Sequence, residues 1–225
     1  FFAGYPNGVT AETCAIAEEG HDIPIRIYRN EEADDAALVL YFHGGGFVLG
    51  GLESHDDVCA ELCKRTGYEV VSVAPYRGTG VSDDEHGGFA ATDDLLAGAG
   101  PTTAVYVCGP AGGLEAIRLY SAGIDRSDWH ISPVYGDLSV LPKPLLLTGS
   151  RDLLTPDNLI FAEKARAAGV EVDVVHEEGM FHVWPLIDMP ESRRARQHIV
   201  AFLGDSRSPI RQDTRPRFEA PSAEA

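Results

Sequence analysis

The 225-residue chain has no apolar run approaching the length that crosses a bilayer, and no leader of basic and then apolar residues at its start. A soluble, cytoplasmic protein is the expectation. Basic residues are scarce: 18 Lys and Arg stand against 35 Asp and Glu, a formal charge of −17. That balance argues against nucleic acid and anionic membranes as partners and says nothing about a small substrate. There are only four cysteines, Cys14, Cys59, Cys63 and Cys108. Cys59 and Cys63 have helical spacing in an amphipathic stretch, which suggests buried thiols in a reducing compartment; neither has the further ligands nearby that a metal needs. No metal or cofactor is expected. The chain carries no internal repeat, and nothing in it fixes an oligomeric state. It opens at Phe1 without a methionine, as a processed or truncated form would.

Against these absences stands one dense stretch, Leu38 to Phe47. A short apolar run ends in His43-Gly44-Gly45-Gly46. The run reads as a buried parallel strand. Three glycines let the backbone turn sharply and approach a ligand closely. Two free N–H groups aimed at one point can hold a developing oxyanion. A flexible turn is the plainer reading, but His-Gly-Gly-Gly arises by chance in roughly one chain in a thousand.

The rest of the chain alternates strands with helices. Gly8 to Ala17 reads as polar and irregular, and His21 to Tyr28, with Ile23, Ile25 and Ile27 alternating, as a strand. Ser54 to Arg65 reads as a helix capped by Ser54, with Val58, Cys59, Leu62 and Cys63 on one face. Glu69–Val73, Ala104–Cys108, Leu145–Thr148 and Val172–His176 read as strands. Helices are expected over Phe89–Leu96, from about Leu114 to Tyr120, over Asp157–Ala168 with Gly169 as its stop, and over Glu191–Leu203. The fold class is α/β, with a mostly parallel central sheet and helices on both faces. Residues 1–203 form one domain, and residues 204–225, rich in Ser, Pro, Arg, Asp and Glu, form a disordered tail.

In such sheets, functional residues lie beyond the C-terminal strand ends. Four ends carry informative residues: His43 to Gly46, Gly109-Pro110-Ala111-Gly112-Gly113, Asp152 and His182. A tight glycine turn, then an acid, then a histidine is the chain order of an α/β-hydrolase triad. With these motifs, and with Ser132-Pro133-Val134-Tyr135, Asp137-Leu138, Gly149-Ser150-Arg151-Asp152 and Gly179-Met180-Phe181-His182-Val183-Trp184, the chain resembles the hormone-sensitive-lipase-like carboxylesterases from about Gly8 to Leu203. The resemblance implies that Asp152 orients His182 and stabilises its cation. It implies that His182 takes a proton from a serine nucleophile and returns it to the leaving alcohol. Gly44, Gly45 and Gly46, with Gly112 after the nucleophile position, would form the oxyanion hole. Taken alone, Asp152 reads as a turn or cap residue and His182 as a loop histidine. His55, His86, His130, His176 and His198 read as ordinary surface or core histidines.

Three departures from the family's pattern follow. Its Gly-x-Ser-x-Gly appears as Gly109-Pro110-Ala111-Gly112-Gly113, so Ala111 stands at the nucleophile position, and a methyl group cannot attack a carbonyl. Cys108 precedes the sharp turn that exposes the attacking atom and makes a poor substitute. A strand and part of the lid are lacking after the elbow helix, and neighbouring strands lie about 4.8 Å apart. Losing that strand would move Asp152 and His182 towards the elbow or leave a gap, and would defeat rescue by a restored serine. Tyr76-Arg77 continues as Gly78-Thr79-Gly80, where the family has Leu-Ala-Pro-Glu, and the N-terminal lid helices are missing. The function implied is hydrolysis of small acyl esters by a Ser-His-Asp-type mechanism, inactive or impaired at Ala111. The alternative is a non-catalytic small-ligand-binding protein on the same fold, and a structural module ranks last.

Overall fold

A computed structural model describes residues 4–18, 21–31, 38–42, 51–74, 103–105 and 133–205. Its first unit is a five-stranded sheet. A long hairpin, β1 (Val9–Glu18) and β2 (His21–Asn30), forms one flank. Next to β2 come β4 (Glu69–Val73), β3 (Leu38–Phe42) and β5 (Thr103–Val105), in the order β1-β2-β4-β3-β5. β3 runs parallel to both β4 and β5, while β2 is antiparallel to both its neighbours.

The stretch expected to be irregular is β1. Its ten residues pair one to one with β2, from Val9 opposite Asn30 to Glu18 opposite His21. Thr10, Glu12, Thr13 and Cys14 are exposed. An edge strand on a solvated face needs little apolar alternation, because the ladder to β2 supplies its stability, and its polar content therefore hid it.

Side chains of the central strands alternate between two faces. Val39, Tyr41, Val70 and Tyr28 join one core with Val58, Cys59, Leu62 and Cys63 of helix α1 (Asp56–Thr66). Leu40, Val71, Val73, Ile23 and Ile25 form the core of the other face. The apolar stripe expected of α1 is therefore the buried one, and both thiols are free and buried. Ser54 does not cap α1. It sits in a 3-10 turn, Leu52–His55, and its Oγ accepts from the Gly51 N–H at 2.9 Å, while His55 occupies the cap position of α1. Gly67 ends α1 in the left-handed conformation at φ 72°.

A second, two-stranded parallel sheet holds β6 (Leu145–Gly149) and β7 (Asp173–Glu177). Among the described residues it does not pair with β5. Helix α2 (Thr155–Ala167) covers one face through Ala162, Ala165, Leu146 and Val174. On the other face, Leu145 and Leu147 pack into the first core beside Ile199 and Leu203 of helix α3 (Pro190–Asp205). α3 thus ties the two sheets through shared apolar burial. Gly169, at φ 88°, ends α2 as expected. The expected helices over Phe89–Leu96 and from Leu114 lie outside the described residues, as does the expected tail from 206 onward, while its first two residues, Gly204 and Asp205, instead continue α3.

Candidate active site

The β6 strand ends in Gly149, and the chain turns at once through Ser150, Arg151 and Asp152 into α2. The turn is closed by the Asp152 N–H donating to the Gly149 carbonyl at 3.0 Å. The Leu154 N–H donates to Asp152 Oδ1 at 2.9 Å, and the Thr155 hydroxyl donates to the Gly149 carbonyl at 2.7 Å. Asp152 is therefore the turn residue that its plainer reading suggested, and it is more than that. Its side chain is 6% exposed, and both oxygens face His182 Nδ1, at 3.1 and 3.2 Å.

His182 lies five residues beyond β7, on a turn opened by Gly179 at φ 80°. This turn crosses the β6 turn at very short range. The Arg151 N–H donates to the Met180 carbonyl at 2.8 Å, the Ser150 N–H to the Glu177 carbonyl at 3.2 Å, and the Gly179 N–H to Ser150 Oγ at 2.8 Å. A Cβ on Gly149 would lie 2.3 Å from the Met180 carbonyl oxygen. Only glycine permits that crossing, and the crossing brings the two strand ends together.

A carboxylate accepting from Nδ1–H fixes the imidazole tautomer and leaves Nε2 as a proton acceptor. Nε2 of His182 is buried and has no hydrogen-bond partner among the described residues. Chemically, the pair is a base with one face held by an acid and the other face unbonded by any described residue.

Of the other expected site residues, Gly44, Gly45, Gly46, Ala111 and Gly112 lie outside the described residues. The strand that delivers the glycine loop, β3, is in place up to Phe42, and β5 is described as far as Val105. The Pro133–Tyr135 and Leu138–Val140 segments are 3-10 turns. Asp137 caps the second, accepting from the Ser139 N–H at 3.0 Å and from its hydroxyl at 2.6 Å, and the hydroxyl bond, followed by the amide bond, holds its carboxyl below the usual range. His55 stacks edge-on against Tyr41 at 5.7 Å, whereas His176 and His198 are exposed. No group of three metal-ligating side chains occurs among the described residues.

Sequence reading missed the residues that shape the pair. Gly149 gave a signal, a glycine three residues before an acid at a strand end. Val183 gave none: it sits at φ 55° and ψ 19°, beside His182. A second polar cluster, at the start of α1, was also unforeseen. There Asp56 accepts from Tyr28 at 2.6 Å, Arg26 at 2.8 Å and Tyr5 at 3.3 Å.

Parallel strands delivering an acid and a histidine to one end of a sheet define an α/β hydrolase. The family model described as alpha/beta hydrolase fold matches residues 39–78 and 99–186, and the chain belongs to that family. Among curated proteins it is similar to an ethyl acetate hydrolase of Pseudomonas putida, 45% identical over 58 residues, 24% of this chain and 18% of that protein. It is also similar to an acetyl esterase of Salmonella typhi, 37% identical over 65 residues, 29% of this chain and 20% of that protein. These matches span about a fifth of the relatives' length. A solved esterase from the bacterial hormone-sensitive lipase family superposes with a TM-score of 0.76 over 90% of this chain and 86% of its own, at 23% identity. At that identity the likeness speaks for the fold, and it agrees with the resemblance carried by the motifs. No helix among the described residues is long and apolar enough to cross a membrane.

Proposed function

We infer that this chain carries the acid–base half of a carboxylic ester hydrolase site for small acyl esters, with the nucleophile lost at Ala111. The observation that carries the reading is the geometry of His182: Nδ1 within 3.2 Å of both Asp152 oxygens, and Nε2 buried with no hydrogen-bond partner among the described residues. In the reaction, Nε2 would take the proton of an attacking hydroxyl and return it to the departing alcohol, while Asp152 stabilises the imidazolium between the two transfers. The N–H groups of Gly44 to Gly46 and of Gly112 would receive the carbonyl oxygen as it gains charge. Without the hydroxyl, catalysis falls to what binding and the oxyanion hole supply, about a thousandfold over water.

Ala111 favours one other reading, a small-ligand-binding protein without turnover on the same fold. Restoration separates the two. The unaltered chain is expected to hydrolyse a short p-nitrophenyl ester very weakly and to resist labelling by a fluorophosphonate. Where the elbow stands within reach of His182, Ala111→Ser should raise turnover at least about a hundredfold, and adding His182→Ala should remove the gain, because nucleophile and base act as a unit; where the strand after the elbow is lost, the added serine should do nothing, and that is the outcome expected of this chain. A folded Ala111→Ser protein with strong, His182-dependent turnover would show that the triad geometry survives and would refute the binding reading. Fluorophosphonate labelling of the unaltered chain would show that the nucleophile lies elsewhere.

A further inference from the structure

Among the described residues, Val183 is the only non-glycine at positive φ. A β-branched side chain resists that region, so such a turn persists only where its surroundings hold it. The residues just after it are gripped from α3. Ser192, fully buried, donates its hydroxyl to the Trp184 carbonyl. Arg196, 7% exposed, donates from Nη1 to the Pro185 carbonyl at 2.8 Å, and its Nε lies 2.9 Å from Glu61 Oε2 on α1. Ser192 and Arg196 stand one helical turn apart, on the face that otherwise buries Ala195, Ile199 and Leu203. Polar side chains on a buried face cost desolvation unless their bonds are made; Ser192 spends its hydroxyl, and Arg196 its Nη1 group, on the segment that follows His182.

We propose that Ser192 and Arg196 are positioning residues that lock the strained turn at Val183 and so hold the His182 imidazole against Asp152. The proposal rests on reading Asp152 and His182 as an acid–base pair. Neither residue reaches a reacting atom. With both carbonyls fixed, residue 183 cannot relax to negative φ without breaking a buried hydrogen bond. Released, the turn would swing the His182 side chain, and an error of about 1 Å at such a group can cost a hundredfold in rate. Through Glu61, the same arginine couples the turn to α1, which follows the glycine-loop strand in the chain.

The test reads the hydrogen bond directly and needs no turnover. Nitrogen-15 shifts of labelled histidine in the full chain, recorded on the neutral ring, report the ratio of the Nδ1–H to the Nε2–H form at His182. The signal is assigned by its loss in His182→Gln. Asp152→Ala should lower that ratio about tenfold, the worth of one charge-assisted hydrogen bond. Ser192→Ala and Arg196→Met, which keeps the apolar stem, should each move the ratio part of the way. Ile199→Val, which trims the same helix face without touching either carbonyl, should leave it unchanged. If Asp152→Ala shifts the ratio and the two α3 variants do not, the positioning role is overturned while the acid–base pair stands. If Asp152→Ala does nothing, the pair itself is refuted, and the positioning role with it. An equal shift in Ile199→Val would reduce the effect to general loosening and also overturn it. Ser192→Ala deletes a single oxygen atom and decides the matter alone if Arg196→Met fails to fold.

Discussion

Gly149→Ala is a severe test of how the two strand ends meet. The added Cβ would stand 2.3 Å from the Met180 oxygen, 2.6 Å from its carbonyl carbon and 2.7 Å from its Cβ. Carbon–oxygen contacts settle at about 3.3 Å or more, so the turns must part by roughly 1 Å. Two of the three obstructing atoms are backbone, and the β6 and β7 ladders behind them resist movement. Overpacking of this kind costs about 1–3 kcal/mol. The bond from the Arg151 N–H to the Met180 carbonyl, now 2.8 Å, would lengthen or break, at about 1 kcal/mol. Alanine returns about 0.4–1 kcal/mol by restricting the unfolded chain. The net loss is about 1–3.5 kcal/mol, a fall in Tm of roughly 2–14 °C for a chain of this size. Circular dichroism melting measures the global loss, and hydrogen exchange at the Arg151 amide measures the local one. Gly169→Ala serves as contrast: it meets nothing within 4 Å at φ +88°, and should cost only about 1–2 kcal/mol of left-handed strain without altering Arg151 exchange. A Gly149→Ala protein that melts within about 0.5 kcal/mol of the parent, with the Arg151 amide still protected, would show that the crossing is looser than described.

Other consequences can be checked separately. Asp56→Ala leaves the buried Tyr28 hydroxyl and the Arg26 guanidinium without their acceptor and should destabilise the fold by about 3–5 kcal/mol in denaturant titration, whereas Tyr5→Phe, at the longest of the three contacts, should cost under about 1 kcal/mol. Burial pushes the Cys63 thiol up from 9.0 to about 11, so the folded state holds its proton more tightly than the unfolded state does. Its contribution is whole below pH 9 and is lost as pH rises to about 11; Cys63→Ala should flatten that part of the stability curve, and an unchanged slope would refute the assignment. The Asp137 carboxyl is held low, so its turn is supported at neutral pH and loses that support as pH falls below the ordinary carboxylate range; Asp137→Asn should abolish the acid-dependent change in Ser139 amide exchange.

The sequence alone determined the α/β class, because apolar runs and helical stripes repeat along the chain and burial enforces both periods. It also marked Asp152 and His182, since an acid and a histidine just past two strands can reach one end of a sheet whatever the loops do. Other features are invisible to local pattern. β1 has too little alternation to be recognised as a strand, and only pairing with β2 along its full length makes it one. Ser54 has the chemistry of a cap, yet the 3-10 turn before α1 claims it. The meeting of Asp152 with His182 depends on residues whose roles exist only across the fold: Gly149, glycine because Met180 passes over it, and Val183, forced to positive φ beside α3. Among the described residues β6 and β7 pair with each other and not with β5, and α3 shares the first core with strands of both sheets, an association that no local pattern announces. Local sequence sets which side chains must be buried, and only the assembled chain sets which of them meet.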